Sequence, residues 1–489
     1  MTTPFAQHNH SQAPSPQHVD PSKKRPKVLI VGGGLGGLSL GMLLQQTDIP
    51  YEIFERASKP KALGSAIALS AATDALFKQC NIYDEFTSLG KKVLALQVIA
   101  NEQRRVDYKM DFSNQEKVLG ATGHAIARPA LHDLLFRQIP KDKIHMSKKV
   151  LSTDDQGDKG ITVAFSDGTS VTGDILIGAD GAYSAVRQNL FKRLKAQNKL
   201  PAADDVPLPY RTVCLVGQTR PLDPTVFPHL LKDDCQFINT LGESQPLAWI
   251  TLTTPQGTVC WSIVRFIEVS HTSVDDKNKD ASVDQEWGPE AAEAMCNEVR
   301  HLPVMSGNES RPWSLGDLID HTPKDLISKV KLEEIVFKTW FGGRTVLMGD
   351  ACHKLSPAGG VGCQNAMHDA IVLANWINAL PSSPTSKDIE KAFQSYQDER
   401  LPFIATAAKS TQFYSTMASG GVAAKIIRFC AKHMPEWAKR RMLVVLAGNR
   451  PQCSFLPLVE DKGSIPPAFQ PSLLATKPKM TVSYDAASV

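Results

Sequence analysis

The order of apolar and polar positions predicts a chain that opens with alternating strands and helices. Lys27–Val31 is a short β-branched run typical of a buried strand, and a glycine-rich turn separates it from Leu38–Leu44, an apolar segment that we expect to be a helix. Tyr51–Glu55 has the pattern of a second strand. A strand, a glycine turn, a helix and a strand within about 30 residues form the first unit of a doubly wound parallel sheet.

Later segments repeat this alternation around a block of different texture. The patterns predict a helix at 129–139, a hairpin at 161–172 and a strand at 174–178. They also predict a strand at 345–348 and a long helix at 363–379. Short strands separated by Pro, Gly and Asp are predicted at 212–217, 248–253 and 258–266, further helices at 387–447, and an extended segment after 450.

We therefore expect an α/β fold in which a mixed β-sheet is inserted into a discontinuous, Rossmann-like nucleotide-binding domain, followed by C-terminal helices. The expected boundaries are a disordered tail 1–26, a nucleotide-binding domain 27–90 with 120–190 and 330–380, a substrate domain 91–119 with 205–329, a helical region 381–450 and an extended tail 451–489.

Composition and charge exclude several classes of protein. The chain has 489 residues, 42% hydrophobic and 21% charged, as in ordinary globular proteins. The net charge of +4 is too balanced to predict a nucleic-acid surface, and nine scattered cysteines without a CxxC pair predict neither a metal site nor a disulfide framework. Because 1–26 lacks the apolar core of a secretory signal and no apolar run is long enough to span a bilayer, we expect a cytoplasmic protein.

The first chemical motif is the turn Gly32–Gly37, which matches GxGxxG at positions 32, 34 and 37. Gly32 permits the tight turn, Gly34 lets the backbone approach a pyrophosphate, and Gly37 lets the helix pack against the strand. Glu55, at the end of the next strand, is placed to bind ribose hydroxyls. This acid favours FAD or NAD over NADP, with a glycine turn of no function as the alternative.

The second motif follows the predicted strand at 174–178. Asp180-Gly181 by itself is a common turn. Ser184 is equally explained as a helix N-cap, and Arg187 as a surface charge. The segment therefore indicates chemistry only in combination with the other two motifs.

The third motif, Gly349–Ala370, again ends a strand on an acid, Asp350, whose carboxylate can accept hydrogen bonds from polyol hydroxyls. Glycines at 359, 360 and 362 leave room for a flat ring beside the backbone. The helix that starts after them directs N–H donors at developing negative charge. We interpret His353 within this motif as a structural hydrogen-bonding residue.

In this order and spacing, the three motifs resemble those of the flavin-dependent aromatic hydroxylases, the family of p-hydroxybenzoate hydroxylase and salicylate hydroxylase. The resemblance is closer still to the fungal FAD epoxidases and hydroxylases of secondary metabolism, and it covers about residues 27–405. It implies an oxidoreductase with bound FAD, NAD(P)H as co-substrate, and insertion of one oxygen atom from O2 into a small aromatic or terpenoid substrate, by hydroxylation or epoxidation through a flavin C4a-hydroperoxide.

Carried over position by position, the resemblance implies cofactor contacts along the whole dinucleotide. The resemblance implies that the glycine turn binds the pyrophosphate and that Glu55 binds the adenosine ribose. It further implies that Arg128 and Asp350 contact the phosphate and ribityl chain, and that the loop 357–362 lies beside the isoalloxazine ring. Arg128, taken alone, is equally explained as a surface residue before a helix. The full set of implied cofactor-binding residues is Gly32, Gly34, Gly37, Glu55, Arg56, Gly64, Ala68, Arg128, Asp180, Asp350, Pro357, Gly360, Gly362 and Cys363.

The chain also departs from the family pattern. Gly64-Ser65-Ala66-Ile67 stands where the family often has Gly-Ala-Gly-Ile, and Gln364 replaces the usual Asn, with Asn365 one position late. Because neither change removes a backbone donor, we expect FAD binding to survive both.

The sequence contains fewer indications of which residues contact the substrate. Tyr210 and Arg211, at the entrance to the mixed sheet, are our candidates for catalytic residues, with an ordinary surface pair as the alternative. Segment 424–448 mixes basic and apolar residues and predicts either a helix that caps the substrate cavity or peripheral contact with a membrane. An FAD-dependent reductase or dehydrogenase without oxygen insertion is the alternative function, and a non-catalytic flavin-binding scaffold is a further one.

Overall fold

The computed structural model describes residues 24–60, 65–100, 105–242, 246–271, 289–308, 310–418, 421–435, 437–438 and 448–475. Its largest core surrounds a six-stranded sheet whose neighbours are parallel except for the first pair. Val28, Leu29 and Ile30 have no exposed surface, because a central parallel strand is covered on both faces. The strand order is Phe341–Gly342, Thr345–Leu347, Ile175–Gly178, Val28–Val31, Tyr51–Phe54 and Ile144–His145.

A second, seven-stranded sheet is antiparallel apart from the parallel pair Phe237–Leu241 and Ala95–Ala100. One of its faces packs on helices Pro289–Val299 and Leu315–Asp320, where it forms a separate apolar core. The strand order is Ser328–Glu333, Pro209–Gln218, Val259–His271, Leu247–Thr253, Phe237–Leu241, Ala95–Ala100 and Arg105–Asp111.

Smaller sheets and the helices complete the architecture. Two three-stranded sheets have the orders Ser170–Gly173, Ile161–Phe165, Val150–Asp155 and Ala66–Leu69, His124–Ala127, Gly90–Lys92. Strand pairs are Pro303–Val304 with Trp313–Ser314 and Ile335–Val336 with His353–Lys354. Helices of the described residues are Leu35–Leu44, Asp74–Gln79, Tyr83–Leu89, Gln115–Leu119, Arg128–Phe136, Ala185–Ala196, Pro289–Val299, Leu315–Asp320, Gly362–Asn378, Ser386–Ala418, Gly421–Lys432 and Pro471–Ala475.

The predicted fold class is confirmed: strands from three separated parts of the chain build the Rossmann-like sheet, and a mixed sheet is inserted between them. The predicted strand at 258–266 continues to His271, and a short helix, Pro471–Ala475, interrupts the tail that we expected to be extended. Residues 1–23 and 439–447, on which parts of the predictions fall, lie outside the described residues. Each helix that the structure describes is too short or too polar to cross a bilayer.

Candidate functional site

The glycine turn is closed on its strand side and open at its centre. Gly32 has a φ of +112°, and a Cβ there would lie 2.3 Å from the carbonyl oxygen of Ala179. A Cβ on Gly37 would lie 2.1 Å from the carbonyl oxygen of Gly32. A Cβ on Gly34, by contrast, would meet no described atom within 4 Å. The backbone at Gly34 is therefore approachable by a ligand, while Gly32 and Gly37 hold the turn in shape.

Two helices present uncapped N-termini in the same region. The N-cap residues of Leu35–Leu44 and Gly362–Asn378 make no side-chain cap hydrogen bond, and neither first turn holds an acidic residue. A Cβ on Gly36 would lie 3.3 Å from the Cβ of Ala366, so the helices cross closely near their starts. Their free N–H groups and positive dipole ends suit an anionic group such as a pyrophosphate.

Glu55 is fixed beside the glycine turn by the backbone. Its carboxylate accepts hydrogen bonds from the N–H of Gly33 at 2.7 Å and the N–H of Ala57 at 2.8 Å. Behind the turn, His132 Nε2 lies 2.9 Å from the carbonyl oxygen of Gly33, and burial lowers the pKa of His132. Each Glu55 oxygen makes one of these bonds and can accept another from a hydroxyl. Arg56, the next residue, is exposed.

Asp180 caps the helix Ala185–Ala196. Its carboxylate accepts hydrogen bonds from the Ser184 hydroxyl at 2.5 Å and from the N–H of Ala185 at 2.7 Å. The Ser184 oxygen in turn accepts the N–H of Arg187 at 2.9 Å, so the N-cap interpretation of Ser184 is confirmed.

Arg187 is buried, so its alternative interpretation as a surface charge is wrong. Its guanidinium donates to the carbonyl oxygen of Ala351 at 2.9 Å and to that of Ala182 at 2.6 Å, and it lies over the ring of Phe337 at 4.6 Å. This one side chain ties the turn after Asp180 to the turn that carries Asp350.

The third motif brings a charged group against Asp350. Lys354 Nζ lies 2.5 Å from the Asp350 carboxylate. Burial alone would lower the pKa of Lys354, but the carboxylate outweighs burial and raises it. Arg128 is close enough to act on the charge of Lys354, and its backbone N–H donates to the carbonyl of Ser65 at 2.9 Å. Arg128 and Asp350, far apart in sequence, thus share one region.

The loop Pro357–Gly362 follows the same design as the glycine turn. A Cβ on Gly359 would lie 2.3 Å from Thr411 Cγ2, so this side of the loop is closed by helix Ser386–Ala418. A Cβ on Gly360 or Gly362 would meet no described atom within 4 Å. Burial raises the pKa of the Cys363 thiol to about 12, which keeps it neutral.

The departure at Gln364 has a structural explanation. Gln364 Oε1 accepts a hydrogen bond from the Ser70 hydroxyl at 2.7 Å. Asn365 Oδ1 accepts one from Arg400 at 3.0 Å, inside the protein. The inward direction of Asn365 means that it does not take the place of the asparagine that Gln364 replaces.

A buried ionic network lies behind the third motif. Asp369 lies 2.5 Å from His353 Nε2 and 2.7 Å from Arg400 Nε, and it accepts the N–H of Gly349 at 2.9 Å. Burial alone would raise the pKa of Asp369, but His353 and Arg400 hold it well below its ordinary value. The network fixes the turn that bears Asp350. Arg400 was missed because nothing near it in sequence signals a partner in another helix.

The remaining predicted residues are placed as follows. Tyr210 pairs across the sheet with Glu333, whose carboxylate accepts a hydrogen bond from the Tyr183 hydroxyl. Arg211 lies at a bulge in the same strand with an exposed side chain. Ala68 lies in strand Ala66–Leu69 opposite Ala125, and Gly64 lies outside the described residues. The functional roles of these residues stay predictions.

The residues present fit an FAD molecule. Open space at Gly34, Gly360 and Gly362, two bare helix N-termini, and carboxylates at Glu55 and Asp350 supply room, anion binding and hydroxyl acceptors in one region.

Comparisons with known proteins agree with this geometry. A family model described as an FAD binding domain matches residues 25–210 and 314–411, more than half of the chain. The FAD-dependent monooxygenase penM of Penicillium crustosum is 25% identical over 448 residues, covering 88% of this chain and 87% of that protein. The Aurachin C monooxygenase/isomerase of Stigmatella aurantiaca is 28% identical over 363 residues, covering 73% of this chain and 82% of that protein.

A solved structure shares the fold. HpxO of Klebsiella pneumoniae, complexed with FAD and uric acid, superimposes with a TM-score of 0.64 at 19% identity, covering 86% of this chain and 97% of that one. At this identity the likeness concerns the fold alone.

Proposed function

Because the chain belongs to the FAD-binding domain family and is an FAD-dependent monooxygenase, we propose that it inserts one oxygen atom from O2 into a small aromatic or terpenoid molecule at the expense of NAD(P)H. The observation that carries this proposal is the convergence of three separated segments on one region, through the bare helix N-termini and Arg187. Bound FAD supplies the reduction and oxygen-activating chemistry of the family.

The chain's own residues divide the work of holding FAD. The backbone at Gly34 and the N-terminus of helix Leu35–Leu44 bind the pyrophosphate, and Glu55 accepts ribose hydroxyls. Asp350 accepts hydroxyls of the ribityl chain, and Lys354, whose Nζ donates to that carboxylate at 2.5 Å, holds it in place. The N-terminus of helix Gly362–Asn378 stabilises negative charge on the ring, beside the open backbone at Gly360.

The seven-stranded sheet supplies the other wall. Its face toward the Rossmann-like part is largely apolar, which favours binding of an apolar substrate and the exclusion of water from the reaction. We keep Tyr210 and Arg211 as candidates for the substrate side, supported by the pairing of Tyr210 with Glu333 near the Asp180 turn.

The test is a panel of aromatic and terpenoid compounds incubated with the FAD-loaded protein, NAD(P)H and O2. A monooxygenase consumes NAD(P)H in response to one compound and yields a product one oxygen atom heavier. The alternative, a reductase or dehydrogenase, consumes NAD(P)H without forming an oxygenated product. Oxidation of NAD(P)H with all oxygen recovered as H2O2, across the whole panel, would contradict oxygen insertion.

We also keep peripheral membrane contact of segment 424–448 as a proposal. In helix Gly421–Lys432, the apolar side chains of Ile426 and Phe429 are 58% and 64% exposed beside Lys425 and Arg428, the arrangement of an interfacial helix. Co-sedimentation with anionic liposomes tests this contact. Sedimentation that Phe429→Ser weakens is expected, and no sedimentation would contradict it.

A further inference from the structure

A single row of side chains crosses all strands of the seven-stranded sheet on one face. In spatial order its members are Tyr108, Val98, Asn239, Ile250, Ser262, Val216 and Ser328, which we call the central row. Residues directly opposite each other in paired strands share a face, so these side chains point the same way.

The central row faces the candidate flavin site. Ile250, a member of the row, and Phe237, on the same face, pack in one apolar cluster with Ala66 and Ala125. Ala66 directly follows Ser65, whose carbonyl accepts the backbone N–H of Arg128. The opposite face of the same strands is sealed against helices, because Trp249, Trp261 and Ile263 are at most 1% exposed there.

Asn239 is a polar residue in an apolar setting. Its cross-strand neighbours on this face are Val98 and Ile250, and its neighbours along the strand are Phe237 and Leu241. Asn239 Oδ1 is buried and has no hydrogen-bond partner among the described residues. A buried amide oxygen left without a partner is destabilising, so the fold alone gives no reason for an asparagine here.

The polar side chains at the centre of the two faces of the sheet, and that of Ser328, differ in their hydrogen bonding. On the sealed face, Trp249 Nε1 donates to the carbonyl of Pro303 at 2.9 Å, and Trp261 Nε1 donates to the Thr322 hydroxyl at 3.0 Å. On the central row, Asn239 Oδ1 and Ser328 Oγ are both buried without a partner in the described part of the chain. Trp313 Nε1, in the cluster under the sealed face, is also buried without a partner among the described residues, but Trp313 lies outside the seven strands. At the centre of the sheet itself, the unpartnered buried oxygens are on the side of the flavin.

Helix Ser386–Ala418 comes near one end of the central row. Tyr414, in helix Ser386–Ala418, lies near Tyr108, the end member of the row, because burial and the charge of the Tyr108 phenolate both raise the pKa of Tyr414. Three residues earlier in the same helix, Thr411 contacts the loop at Gly359, next to the open backbone of Gly360. One helix therefore reaches both the end of the row and the loop at Gly359.

We propose that Asn239 is a specificity-determining residue whose carboxamide oxygen accepts a hydrogen bond from an O–H or N–H group of an otherwise apolar substrate. This inference rests on the proposed function and deepens it. Apolar neighbours select a hydrophobic molecule, and the amide selects the orientation in which its donor lies against the centre of the sheet. A compound without the donor would leave the buried oxygen unpaired, which is a strong basis for discrimination.

The experiment measures binding to the FAD-loaded protein through the change in flavin absorbance. The probes are 2-naphthol with 2-methoxynaphthalene, and indole with N-methylindole, pairs that differ in the donor. Wild type is expected to bind the donor member about five- to tenfold more tightly than its methylated partner, the effect of one hydrogen bond. Asn239→Leu is expected to bind both members alike and to melt at or above the wild-type temperature, because the unpaired amide is gone.

Thr240→Val is the matched control, since Thr240 is the next residue of the same strand and lies on the sealed face opposite Trp249. It is expected to keep the preference for the donor. Equal binding of both members by wild type, no binding of either donor compound, or an undiminished preference in Asn239→Leu would overturn the proposal. A lower melting temperature of Asn239→Leu would show a structural role instead. Protein that takes up no FAD would overturn the proposed function as well, whereas FAD-loaded protein without discrimination overturns this inference alone.

Discussion

In the proposed function, the cofactor side and the substrate side of this molecule recognise ligands by different means. Around the six-stranded sheet, the groups offered to a ligand are backbone N–H donors at Gly34 and at the start of helix Gly362–Asn378, with Glu55 and Asp350 in support. On the seven-stranded sheet, the proposed group is a side chain, that of Asn239, on an apolar face. Binding a ligand through backbone N–H groups requires glycines and turns at particular positions. Binding a ligand through side chains requires only that strands distant in sequence align in the sheet.

The largest loss of stability is expected when the buried ion pair behind the cofactor side is broken. Asp369→Asn leaves the buried Arg400 without its charged partner, and breaking a buried pair costs about 3–5 kcal/mol of unfolding free energy. Urea unfolding at about pH 7 measures this loss. Asp398→Asn, an exposed change in the same helix as Arg400, is the control and is expected to have little effect.

The same pair gives a pH dependence of known sign. The pKa of Asp369 is lower in the folded chain than in the unfolded chain. The contribution of Asp369 to the unfolding free energy is therefore fully present above its unfolded pKa of about 3.9. This contribution is lost as the pH falls toward the folded pKa. The stability difference between wild type and Asp369→Asn should narrow as the pH is lowered below about 4. A difference that grows on acidification would contradict the ionic account.

The next largest effect distinguishes two glycines of one turn by their consequences for stability and for FAD binding. Gly37→Ala places a Cβ against the carbonyl of Gly32, and an overpacked change of this kind costs about 1–3 kcal/mol of stability. Gly34→Ala meets open space, so the fold is expected to keep its melting temperature while its affinity for FAD falls. Thermal unfolding without FAD and FAD titration check the two variants. Equal loss of stability in both would contradict the distinction between a closed and an open side.

The smallest effect on stability is expected on the substrate side. Because Arg211 is exposed at a bulge, Arg211→Ala should change the unfolding free energy by less than about 0.5 kcal/mol and leave the flavin spectrum intact. If this residue acts on the substrate, turnover falls. Unchanged turnover would show that Arg211 does not act on the substrate. Among the proposed substrate contacts, the central row would then remain.

This difference also explains what the sequence could predict. The fold class, the turn at Gly32 and the acid at Asp350 follow from local spacing, because a strand, a turn and a helix are contiguous in the chain. Arg400 beneath Asp369 could not be found this way, since their contact joins two helices. Asn239 was missed for the same reason, because its apolar surroundings come from three different strands.

The central claim is that three separated segments hold one FAD molecule. Its most direct test is titration of the flavin-free protein with FAD, following absorbance and bound stoichiometry in wild type and Gly34→Ala. The account predicts one FAD per chain for wild type and weaker binding for the variant, with both proteins equally folded. Folded wild-type protein that stays colourless in the presence of FAD, or that binds it equally well after Gly34→Ala, would contradict it.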